Sequence, residues 1–241
     1  MKYYKVTNPD LTAKYDGKTL YKAGNIIKLP KVENPALCSS QVLHASRRAI
    51  DALSYYGHVP CAISEVEGTP VVEDADKAGF FELSVLRNIP ETEYDKLLGF
   101  RYREVVTPVN PCDITPPEID NELKNMLVEW ASVWDSVGDS VWASVWAFVR
   151  VSVWDSVGDS VWDSVGDSIG ASVGTFVRAS VWAYVGLLFP HVPAWQDGYP
   201  FQSAVDLWKR GLIPVKIGKE WRLYHPQRGK PAKLMYSMKV E

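Results

Sequence analysis

A four-residue unit, Ser-Val-(Trp/Gly)-(Asp/Ala), recurs in tandem from Trp130 to Gly186, and it constrains this chain more than any other feature. Fourteen β-branched residues stand at every fourth position, from Val133 to Val185 with Ile169 among them. On an α-helix four residues turn about 400°, so the aliphatic stripe drifts about 40° per unit and circles the helix in about nine units. Such a helix keeps no permanent outside face. Val, Ser, Asp and Trp each cost about 0.5 kcal/mol against Ala in a helix, and Gly about 1 kcal/mol, so the array does not hold its shape alone. Burial of the branched side chains against protein has to decide the structure.

Two solutions follow. One is a helix that folds back on itself or associates with another copy. The other is a β-solenoid with Val pointing inward, because Val and Trp favour extended backbone. On a strand, however, Val and Asp share a face, which would set Asp135, Asp139, Asp155, Asp159, Asp163 and Asp167 beside the core.

The approach to the array favours helix. Thr115-Pro116-Pro117-Glu118 has the form of a capping box with Pro at the first helical position. Ile119, Leu123, Met126, Leu127 and Trp130 follow at helical spacing, and no proline intervenes between Glu118 and Phe189. The expected fold class is an α+β N-terminal domain over residues 1–110, then a linker and capped helix start over 111–129. A predominantly α-helical tetrapeptide-repeat array over 130–186 comes next, followed by a small C-terminal helix-hairpin unit over 187–241, with the solenoid as the alternative for the array.

Within the N-terminal domain, Tyr3–Thr7 reads as a strand, and Asp16-Gly17 as the turn of a hairpin. Ala45, Ala49, Ile50, Leu53 and Tyr56 predict an amphipathic helix from His44 to Tyr56. Cys61–Val66, Phe80–Leu86 and Phe100–Val106 read as strands, and Thr92–Leu98 as a short helix. In the C-terminal unit, Phe201–Lys209 reads as a helix stopped by Gly211. Ile213–Lys216 and Trp221–Tyr224 read as a hairpin, followed by a loose basic tail from Gln227.

Composition excludes several classes. A formal charge of −3 gives no overall basic field, so nucleic acid is not the expected partner. The opening residues lack a signal-peptide core, and no run reaches the roughly 18 apolar residues of a membrane span, so a cytoplasmic chain without a membrane partner is expected. Three cysteines without CxxC spacing point to neither a disulfide framework nor a metal site. The repeat glycines, among them Gly138, Gly158, Gly166, Gly170 and Gly174, form no phosphate loop, and no cofactor is expected.

For catalysis the sequence offers His44, with Cys38 six residues earlier and Ser46 just after, as components of a nucleophilic site without an evident third orienting group. Against this stands a histidine that merely bonds the backbone. His58, in Tyr55-Tyr56-Gly57-His58, reads as a loop residue. For interaction the sequence offers the array. Trp134, Trp142, Trp146, Trp154 and Trp162 form an aromatic column, and Asp155, Asp159, Asp163 and Asp167 an acidic one. Six Asp against Arg150 and Arg178 leave the array at −4. Such a surface either faces solvent or imitates a nucleic-acid backbone toward a basic partner.

Cys38, Leu43-His44-Ala45-Ser46, the Ala49–Leu53 helix segment, the strand at Ile63–Gly68 and Asp76-Lys77 resemble an uncharacterised family of bacterial and phage proteins. Its first domain carries a Cys, then a Gly-Leu-His-Ala-Ser-like motif, then a Val-rich strand and an Asp-Lys. Here Val42 stands where that family has Gly. Members continue into Ala-Ala-(Trp/Arg)-(Asp/Ala) arrays, of which the present repeat looks like a variant. The resemblance implies a phage or prophage setting and carries no activity.

The leading functional expectation is therefore a non-enzymatic structural or interaction protein, with the array as scaffold and surface for self-association or another protein. The alternatives are a small-ligand-binding or enzymatic N-terminal domain centred on His44, and an acidic decoy for a nucleic-acid-binding protein.

Overall fold

The computed structural model describes residues 1–57, 59–148, 174–188 and 198–239. The chain divides into two compact units, Met1–Tyr102 and Arg103–Glu241.

The first unit is built on two antiparallel sheets. Strands β1 (Lys2–Thr7), β2 (Ile26–Lys28), β4 (Ala62–Glu67) and β7 (Glu82–Asn88) form one, in the order β1-β4-β7-β2. The short strands β3 (Leu43–Ala45), β5 (Val72–Glu73) and β6 (Ala78–Phe80) form the other, in the order β3-β6-β5. The alternation of strand side chains puts Tyr3 on the inner face of β1, where it meets Phe80 edge to face at 4.9 Å. Around this pair Tyr21, Leu43, Ala45, Val66, Leu83 and Val85 close the core.

A backbone bridge ties the sheets together. Tyr4 N–H donates to the Ser46 carbonyl at 2.7 Å, and Ser46 N–H donates back at 2.9 Å. Helix α1 (Ala49–Tyr56) follows and ends at Gly57, whose φ of 79° lets its N–H return to the Leu53 carbonyl at 2.7 Å. The helix thus starts later than its apolar spacing predicts. Residues 43–45 pair instead with β6, His44 opposite Gly79, because the backbone bonds of a ladder outweigh one more helical turn.

The Asp16-Gly17 turn forms, closed by an isolated Thr12–Leu20 bridge and not by the paired strands of a hairpin. Gly17 takes a φ of 60°, and Asp16 accepts from the backbone N–H groups of Lys18 and Thr19 at 2.8 and 3.0 Å. At the other end of the unit, α2 (Tyr94–Leu98) supplies Tyr94, whose hydroxyl accepts from the Ile63 N–H at 2.8 Å. Residues 100–106, read from sequence as a strand, instead contain helix α3 (Tyr102–Val106). The Asp95 carboxylate accepts the Tyr102 N–H at 2.9 Å and so caps that helix from outside it.

The second unit holds α4 (Asn121–Phe148), α5 (Gly174–Leu187), α6 (Gln202–Lys209) and an antiparallel meander of β8 (Ile213–Ile217), β9 (Glu220–Gln227) and β10 (Lys230–Lys239). Leu123, Leu127 and Trp130 bury one face of α4. The start of α4 is set by Asp120, whose carboxylate accepts the Leu123 N–H at 2.9 Å, and not by the Thr115 box. From α5, Val181, Tyr184 and Val185 are fully buried, and Tyr184 stacks on Trp208 of α6 at 6.0 Å. The Val109 backbone joins the polar ends of these two rings. Its N–H donates to the Tyr184 hydroxyl at 3.0 Å, and its carbonyl accepts from the Trp208 indole at 2.9 Å.

These features correct the expected fold class. Among the described residues helix and strand take similar shares, about 30% each, with the strands in three small antiparallel sheets, so what is described is mixed α and β and not predominantly helical. The described ends of the repeat are helical, which also removes the solenoid there. Among the described side chains of those ends, Trp130 meets Phe201 at 6.1 Å and Trp134 meets Trp221 edge to face at 5.8 Å, so they pack into the α6 and C-terminal-sheet core. The loose tail and simple hairpin are corrected too. Residues 230–239 pair with β9 along its length as a third strand, which satisfies backbone groups a bare hairpin edge would leave open.

Candidate functional site

A cavity of about 550 Å³ opens in the first unit, within the size range of small-molecule sites. It is lined from β1 by Lys5, from the Asp16 turn and its flanks by Lys14, Asp16 and Tyr21, and from the loop before β3 by Cys38. His44 and Ser46 line it from β3 and just beyond, Tyr55 and Tyr56 from α1, and Lys77 from the approach to β6. The Tyr4–Ser46 bridge is what brings Lys5 and His44, from distant parts of the sequence, to one space.

The structure thus gathers Cys38, His44 and Ser46 around one cavity, but not as a nucleophilic pair. Cys38 is exposed and takes a left-handed φ of 66°. Its backbone N–H, not its thiol, meets His44, donating to Nε2 at 3.2 Å. Its sulfur instead accepts from the Lys77 ammonium at 3.2 Å. Ser46 is buried and engaged through its backbone with Tyr4.

Because Nε2 of His44 accepts an N–H bond, the ring proton of the neutral imidazole lies on Nδ1, and that N–H is left without a partner among the described residues. Burial, and then the positive charges of Lys77 and Lys5, lower the His44 pKa to about 4, which keeps the ring neutral. Lys5 is lowered to about 8, first by burial and then by Lys77, with Asp16 opposing.

The three cavity lysines differ in what they touch. Lys14 donates to the Tyr56 carbonyl and lies over the Tyr56 ring at 5.3 Å. Lys77 lies over the Tyr55 ring at 4.6 Å besides its bond to sulfur. Lys5 lies over the Tyr21 ring at 5.1 Å and has no hydrogen bond or ion pair among the described residues. Asp16, the cavity's carboxylate, is occupied by the Thr19 hydroxyl and the two turn N–H groups. The charged groups left to meet a guest are therefore cations, set among tyrosine rings.

Sequence reading did not single out Lys5. The available signal was a lysine on the same strand face as Tyr3 and Thr7, in a strand otherwise rich in apolar and aromatic residues. Of the interaction residues, Trp134 is half-buried and packs edge to face on Trp130 at 5.5 Å as well as on Trp221. The side chains of Trp142 and Trp146 lie outside the described residues, as do Trp154, Trp162, Asp155, Asp159, Asp163, Asp167 and His58. Among the described residues no cluster of metal-ligating side chains occurs, and no helix is long and apolar enough to cross a membrane. Comparison with known protein families, curated proteins and solved structures finds no match to this chain.

Proposed function

We propose that the N-terminal unit is a binding domain for a small anionic ligand, held in the cavity around His44. The observation that carries this reading is the inventory of unengaged polar groups there among the described residues: the Lys5 ammonium and the His44 Nδ1–H, with Lys77 adjacent and the Asp16 carboxylate occupied by three local bonds. A partly buried ammonium with no ion pair of its own is under-solvated, and an incoming anion relieves that cost. Tyrosine faces and Leu29 supply the apolar walls that hold the rest of such a ligand. A phage or prophage setting, implied by the motif resemblance, is compatible with this reading and not required by it.

The test is a titration of the full chain with inorganic phosphate and with simple carboxylates, followed through the amide signals of Cys38 and the ring signals of His44. Saturable shifts at both are expected, with affinity falling about tenfold in Lys77→Gln, the loss of one charge-assisted bond. Shifts that never saturate, or that Lys77→Gln leaves untouched, would end the proposal. The scaffold and acidic-decoy alternatives depend mainly on side chains between Trp142 and Asp167, outside the described residues. No observation here favours them over the cavity.

A further inference from the structure

We propose that Lys5 is a reactive amine, whose Nζ condenses reversibly with the carbonyl carbon of an aldehyde or 2-oxo carboxylate bound in the cavity to form an imine. The inference rests on the anion-binding reading and names the ligand class for that same site.

Lys5 stands apart from its neighbours in what surrounds its nitrogen. Lys2 pairs with Glu65 and Lys28 with Glu82, both at 2.9 Å. Within the cavity Lys14 is bonded to a carbonyl and Lys77 to a sulfur. Lys5 meets only the face of Tyr21 among the described residues. A lysine held in a desolvated pocket near a second cation loses its proton readily, and the free amine is the form that attacks carbonyl carbon. Burial and Lys77 bring Lys5 to about 8, so a usable share of free amine exists near neutral pH.

The chemistry balances with the groups present. The Nζ lone pair forms a C–N bond to the carbonyl carbon, and the carbonyl π electrons move to oxygen. Proton transfer from nitrogen to that oxygen gives a neutral carbinolamine. Loss of the oxygen as water, with the second Nζ proton, then gives C=N. One amine and one carbonyl become one imine and one water, with no net oxidation or reduction. The Nδ1–H of His44 can donate to the carbonyl oxygen as charge develops on it, and Lys77 can hold the carboxylate of a 2-oxo acid.

The experiment exposes the full chain to pyruvate, and separately to propionaldehyde, with sodium cyanoborohydride to reduce any imine to a stable secondary amine. Peptide mapping by mass spectrometry then locates the label. At neutral pH, label at Lys5 should form roughly tenfold or more faster than at exposed Lys18, Lys22 and Lys31, since the surroundings of Lys5 favour its free amine. Lys5→Met should abolish the fast label, with near-ultraviolet circular dichroism reporting whether that variant is folded. Mapping of the unaltered chain stands even if it is not. Label spread evenly over exposed lysines overturns the inference. Should phosphate still give saturable shifts at Cys38 and His44 in that case, the anion-binding site survives and the reactive amine alone is lost. Fast Lys5 label without any saturable anion shift would instead keep the amine and remove the anion reading beneath it.

Discussion

The backbone N–H of Cys38 donates to Nε2 of His44 across 3.2 Å, so one ring nitrogen latches a loop on a histidine that also lines the cavity. The latch needs the neutral ring, because a protonated imidazole has no acceptor nitrogen.

His44 should therefore titrate near pH 4 in the folded chain, against an ordinary value of 6.5. Between those values the unfolded chain binds more protons than the folded one. Stability is then whole above the upper value and is lost as pH falls toward the lower. Nitrogen shifts of the ring give the pKa and the tautomer. The pH profile of urea midpoints gives the linkage, and His44→Gln should flatten that limb. A ring titrating near its ordinary value would sink the argument.

Tyr102 is fully buried, and its hydroxyl accepts the Cys61 N–H at 2.8 Å and donates to the Cys61 carbonyl at 3.0 Å. Tyr102→Phe keeps the ring and strands both backbone groups away from water. A loss of about 1–3 kcal/mol in chemical denaturation is expected. An unchanged midpoint would mean that water reaches Cys61.

Gly79 sits opposite His44 in the β3–β6 ladder, and a Cβ there would meet Val42 at 2.8 Å and Val72 at 2.9 Å. Gly79→Ala must push apart side chains on both sides of the strand. The expected cost is about 1–3 kcal/mol, together with weaker phosphate-induced shifts at His44. Calorimetry and the same titration check the two halves separately.

At the entry to α4 two caps compete on paper. Asp120→Ala should cost about 1 kcal/mol, and Thr115→Ala should change little, because only the Asp120 carboxylate reaches an amide of the first turn. Equal effects, measured by thermal unfolding of the full chain, would contradict the assigned start.

Local chemistry was legible where a few neighbouring residues settle the outcome. The Asp16-Gly17 turn, strands β1 and β4, and the buried row Leu123, Leu127 and Trp130 all follow from short-range pattern. His44, Cys38 and Ser46 were visible as a group, since they lie within nine residues of one another. Their arrangement was not. The spacing of Ala45, Ala49 and Leu53 fits a helix from His44, and only pairing of Leu43–Ala45 with Ala78–Phe80 turns the motif into a strand. Likewise the tail after Gln227 has no strong strand pattern of its own, and its state depends on β9 beside it.

From its residues alone, then, this protein determines a four-residue array that cannot stand without packing partners, an alternating first strand and a motif with chemical potential at Cys38, His44 and Ser46. Those are properties of short stretches, governed by side-chain period and turn geometry. Tertiary structure decides that Trp130 and the Val181–Val185 stretch of the array are buried within a mixed α and β unit. It also decides that Lys5 and Lys77 come to share a cavity with His44. Both outcomes require backbone pairing between segments far apart in the chain, and the field two lysines exert on a histidine exists only once that pairing sets the distance between them.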